Sequence, residues 1–66
     1  MFSYEPLWET MKNKNISQYQ LIHVHGLSTG TLDALRQNRS ITMNTLDTIC
    51  QMLECQPNEV VKIIRD

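Results

Sequence analysis

An all-α fold is predicted by three features of this sequence. One local spacing occurs four times: an apolar residue, then a capping residue, then a second apolar residue five positions after the first. Residues 46–53 place Leu46, Ile49, Cys50 and Leu53 at i, i+3, i+4 and i+7, the apolar stripe of a helix. No segment alternates apolar and polar residues convincingly enough to predict a strand.

The repeats are Ile16-Ser17 with Leu21, Leu27-Ser28 with Leu32, Ile41-Thr42 with Leu46, and Cys55-Gln56 with Val60. This is the spacing of a hydrophobic staple, in which the residue before the cap packs on the fourth helical residue. Five helices follow in order. The first covers 5–14: Pro6 suits a first turn, Leu7, Trp8 and Met11 share a face, and Asn15 suits the left-handed residue that ends a helix. The second, 18–24, is capped by Ser17, and Gln20 completes a capping box. The third, 29–37, opens on Ser28. Gly26 supplies the positive φ of a short turn between the two, which forces a steep crossing over a core of Leu21, Leu32 and Leu35. The fourth, 43–54, is capped by Thr42. The fifth, 57–64, has Pro57 at its first position and Glu59 near its positive end, after the weak cap Gln56.

Length allows one domain over residues 1–66, and a chain this short buries only about 60% of its unfolded surface. A hydrophobic share of 41% and a net charge of −1 exclude a disordered chain. The longest nearly apolar run, VVKII, falls far short of the ~18 residues of a membrane span. MFSYEPLWE has neither a basic leader nor an apolar core, so a cytoplasmic protein with reduced Cys50 and Cys55 is expected. Charge is polarised along the chain: residues 12–39 carry Lys12, Lys14, Arg36 and Arg39 against Asp33, a balance of +3, between flanks of −2 each. A local positive field attracts phosphate whatever the total, while the total argues against strong non-specific binding.

The outer side of the third helix is readable at ~100° per residue. With Leu32 and Leu35 inward, Gly30, Asp33, Ala34 and Gln37 face out, flanked by Thr29 and Thr31. The surface is slim and polar. Glycine inside a helix costs ~1 kcal/mol against alanine. Gly30 therefore marks either the close approach of another backbone, such as a phosphate strand, or drift at an exposed position.

PLWETMKNKNIS, LIHVHGLSTGTLDALRQN and TLDTICQMLECQPNEV together resemble the Cro/repressor-type (Xre-like) helix–turn–helix proteins, in particular small stand-alone bacterial regulators. The resemblance rests on the turn glycine, on Leu21, Leu27, Leu32 and Leu35, and on the closing stretch, and covers nearly the whole chain. It implies a compact five-helix, lambda-repressor-like DNA-binding domain with its helix–turn–helix at about 18–37. The family's contact positions fall on Gln18, Ser28, Thr29, Gly30, Thr31, Asp33, Gln37, Asn38 and Arg39. Gln18 would hydrogen-bond a phosphate at the start of the second helix, and Asn38 and Arg39 would hold the backbone beyond the third. Ile22 and His25 depart from the family, which usually has a small and an aliphatic residue there, and imply a looser or shifted helix crossing.

The outer face has no arginine for a bidentate guanine contact; Gln37 suits adenine, Asp33 cytosine, and Ala34 or a threonine methyl the thymine methyl. An A·T-containing site and a small salt dependence are expected. His23, His25, Cys50 and Cys55 do not match structural zinc spacings, so no metal and no cofactor is expected, and the cysteines read as core. No nucleophile, base and orienter assemble, so no enzymatic activity is expected. Tyr4 and Trp8 read as a lid on the core, and Lys12 and Lys14 as a solvated helix end. Val60, Val61, Ile63 and Ile64 cannot all face one side of a two-turn helix; the one left outside is either an ordinary exposed isoleucine or the seam of a homodimer.

The function expected is sequence-specific double-stranded DNA binding by a transcriptional regulator, with helix 29–37 in the major groove. The alternative is an antitoxin-like or adaptor module that keeps the fold and binds protein.

Overall fold

The protein is described here from a computed structural model over residues 1–65. Four helices form near their expected positions, the last three behind side-chain caps: α1 Glu5–Asn13, α2 Gln18–His23, α3 Thr29–Arg36 and α4 Met43–Leu53. Each ends about one residue before its expected limit, so Gln37 is the cap of α3 rather than its last turn. Ser17, Ser28 and Thr42 each accept a first-turn backbone N–H, from Gln20, Thr31 and Thr45, at 3.1 Å. Gln20 returns the contact to the Ser17 N–H at 2.8 Å, completing the capping box.

The connections follow one device. A residue of positive φ ends each of three helices, Asn15 (58°), Asn38 (56°) and Glu54 (52°). The next residue then donates its N–H back into the helix: Ile16 to Met11 at 2.9 Å, Arg39 to Ala34 at 2.8 Å, Cys55 to Cys50 at 2.9 Å. This is the Schellman arrangement, which satisfies carbonyls left open at a helix end. Gly26, at φ 80°, turns the chain after α2 with a bond one residue wider, Leu27 reaching the Leu21 carbonyl at 2.9 Å. Ile16 and Leu27 thus close one helix and staple the next, which is why the first two linkers are so short.

The fifth helix does not form. Pro57–Glu59 is one 3₁₀ turn, and Lys62–Ile63 is a strand, β2, paired antiparallel with β1 at Phe2–Ser3. Phe2 faces Ile63, Ser3 faces Lys62, and the Ile64 N–H adds a bond to the Met1 carbonyl at 2.8 Å. The fold is mostly helical, with four α-helices among the described residues instead of five. Val60, Val61, Ile63 and Ile64 are β-branched, stiff at χ1 and better placed on a pleated edge than on a short helix. The Thr10 hydroxyl also donates to the Glu59 carbonyl at 2.7 Å, fixing the turn against α1.

One apolar cluster joins these elements. Leu7, Leu21, Leu32, Leu35, Ile49, Leu53 and Val60 are almost fully enclosed. Tyr4 and Met11 are buried with them, and Trp8, Ile22, Cys50 and Cys55 pack half-buried against the cluster. Ile22 is therefore accommodated at the edge of the core. No helix among the described residues is long and apolar enough to cross a membrane.

Candidate nucleic-acid interface

Among the described residues, the outer side of α3 is left partly open to solvent. Thr29, Gly30 and Gln37 are exposed, and Thr31, Asp33 and Ala34 are half-buried. At Gly30, no heavy atom comes within 4 Å of where a Cβ would stand, so packing within the described residues does not demand glycine there. Beside this helix runs a groove of about 480 Å³ whose walls include Ser28, Gly30, Thr31 and Ala34 on one side and Ser40, Thr42 and Thr45 on the other. Its lining hydroxyls are organised: Ser28 donates to Thr31 Oγ1 at 2.8 Å, and Thr42 to Thr45 Oγ1 at 3.0 Å.

The long polar side chains at the two ends of α3 are pre-positioned. Asp33 accepts from Gln37 Nε2 at 2.9 Å and from Arg39 at 3.4 Å. Both side chains of the Arg39–Asp33 pair are at least half exposed, so the pair holds orientation and adds little stability. Gln18, first in α2, accepts at Oε1 from Arg36 Nε at 2.7 Å, a link across the two helices. Arg36 was counted in the local positive charge but not among the candidate contact residues, and the structure brings it to Gln18. Its signal was a cation in the last turn of α3 opposite a glutamine opening α2.

Asn38 and Arg39 serve the fold as well as the surface. Asn38 donates from Nδ2 to the Phe2 carbonyl at 2.8 Å, and the Tyr4 hydroxyl donates to the Arg39 carbonyl at 2.6 Å. Burial pushes the Tyr4 phenol above its ordinary range. The end of α3 is thereby tied to the N-terminal strand. Gln18, Asp33, Gln37 and Arg39 keep side chains at the surface around α3, whereas the Asn38 amide is turned to β1.

The His23 ring lies 4.2 Å from that of exposed Tyr19, tilted by 33°, on the outer side of α2. Among the described residues no three His, Cys, Asp or Glu side chains form a group that could hold a metal ion.

A model of the Cro/C1-type HTH DNA-binding domain matches residues 6–66, and the chain belongs to that family. The crystal structure of the transcriptional regulator VanUg, form II, is similar with a TM-score of 0.86 over 98% of this chain and 87% of that one, at 23% identity. That likeness is one of fold, and it extends through the β1–β2 end of the molecule. No curated protein matches the sequence.

Proposed function

We propose that the protein is a transcriptional regulator that binds a specific site in double-stranded DNA with α3 in the major groove. The observation that carries this reading is the partly open outer side of α3, slim at Thr29 and Gly30 and bounded by Gln18 and Arg39. An α-helix enters the major groove when no bulky side chain holds it off, and base edges are then read by short polar groups. Gln37 and Asp33, held together at 2.9 Å, would read adjacent base edges. Gln18, Arg36 and Arg39 would meet phosphates on either side of the groove.

The reading includes a homodimer formed through the closing strand rather than through a closing helix. Ile63 and Ile64 remain 72% and 39% exposed, beside Met1 and Met43, and a second copy would cover them. Two recognition helices would then address half-sites about one DNA turn apart.

The protein-interaction alternative is favoured by the net charge of −1 and by the mutual satisfaction of Asp33, Gln37 and Arg39. Selection of bound duplexes from a random pool separates the two. A recurrent motif that disappears with Gln37→Ala supports the DNA reader. An unenriched pool supports the protein-binding module.

A further inference from the structure

Cys50 and Cys55 occupy the two positions that a Schellman helix end brings side by side. α4 stops at Leu53, Glu54 turns the chain at φ 52°, and the Cys55 N–H reaches the Cys50 carbonyl at 2.9 Å. The same bond at the end of α1 pairs Met11 with Ile16 at 2.9 Å, so the position is built for contact between two side chains. Standard bond lengths on either side of the 2.9 Å Cys55–Cys50 contact hold the two Cα atoms within about 7 Å of each other. Disulfides span ~4.4–6.8 Å between Cα atoms. Both cysteines are free and half-buried rather than sealed in the core. Both open onto one groove of about 500 Å³ between Leu46, Asp47 and Pro57.

We propose that Cys50 and Cys55 are a reversible modification site, oxidised to an intramolecular disulfide by exchange with a low-molecular-weight disulfide. Cys50 attacks first, because Cys55 is held protonated: burial, then the neighbouring Cys50 and Glu59, push its thiol up to about 11. The Cys50 sulfur forms a bond to one sulfur of the small disulfide, whose S–S bond breaks. The departing thiolate takes up the proton that Cys50 loses. Cys55 then gives up its proton and attacks the Cys50 sulfur, forming the internal disulfide and expelling the second small thiol. Two protein thiols and one disulfide become one protein disulfide and two small thiols, with two electrons leaving the protein.

The bond would pin the last turn of α4 to the chain entering the Pro57–Glu59 turn, which Thr10 already ties to α1. It lies outside residues 18–39, so it is independent of the DNA reading and would leave duplex affinity within about twofold.

The test is incubation of the full chain with oxidised glutathione at mildly alkaline pH, followed by intact mass and thermal unfolding. The expected product is a monomer lighter by two hydrogens, unreactive to alkylation, with Tm raised by about 5 °C or more and restored by reductant. In Cys55→Ser, a glutathione adduct should instead accumulate on Cys50. Separate adducts on both cysteines of the unaltered chain, or disulfide-linked dimers, would overturn the proposal. Labelling of Cys50→Ser but not of Cys55→Ser would overturn the assigned order of attack.

Discussion

Arg36, in the last turn of α3, donates from Nε to Oε1 of Gln18, the first residue of α2, at 2.7 Å. The contact closes the helix pair on the side away from Gly26, so the two helices are joined at both ends. It uses the acceptor of the Gln18 amide, so the amide's remaining hydrogen-bonding capacity includes the N–H donors a phosphate needs. Arg36→Ala should therefore weaken specific duplex binding by about tenfold while changing stability by less than ~1 kcal/mol. Anisotropy titration beside a thermal melt measures both. An unchanged affinity would remove this pair from the interface.

Gly30 separates folding from recognition. Its Cβ space is open, so alanine fits and should stabilise α3 by about 0.5–1 kcal/mol. If the backbone there approaches DNA closely, affinity should fall by severalfold in the same variant. A stabilised variant with full affinity would make Gly30 a product of drift.

Asn38 cannot be replaced as freely as an exposed contact residue. It combines φ 56° with an amide bond to the Phe2 carbonyl, so Asn38→Ala loses both the left-handed preference and the hydrogen bond. A destabilisation of about 1–2 kcal/mol is expected, and about half of it should return with Asn38→Gly, which restores only the backbone freedom. Equal stability of the three proteins in urea would contradict this role. Any test of DNA contact at this position should use the glycine form.

Alkaline pH should destabilise the reduced protein in a defined window. The unfolded Cys55 thiol ionises near 9.0, whereas the folded one stays protonated to about 11. Between those values the unfolded state binds fewer protons, so stability present below 9.0 is lost as pH rises toward 11. Tyr4, also raised, acts in the same direction higher up. Denaturation curves under reductant should show this slope, and Cys55→Val should flatten its lower part.

What was legible in the sequence was what is decided locally. Ser17, Ser28 and Thr42 cap helices with hydrogen bonds to residues three positions on, and Asn15 and Gly26 turn the chain by their own backbone preferences. The error at 57–64 has the opposite origin. Those residues become a strand because Phe2 and Ser3, at the far end of the chain, offer a partner, and no local pattern announces that pairing. The candidate interface divides in the same way. The outer face of α3 followed from helical periodicity, but the Gln18–Arg36 link and the Asn38–Phe2 bond connect residues 18 and 36 positions apart.

The central claim is that α3 reads base sequence, and fluorescence anisotropy tests it most directly. The protein is titrated against the duplex upstream of its own gene and against a scrambled duplex, at two or more salt concentrations. Arg36 and Arg39 are the two cations this reading places on phosphates, so the log–log salt slope should be about −2 for one copy and about −4 for a dimer on two half-sites, with clear preference for the upstream duplex. Equal, weak binding to both duplexes that vanishes at moderate salt would contradict it.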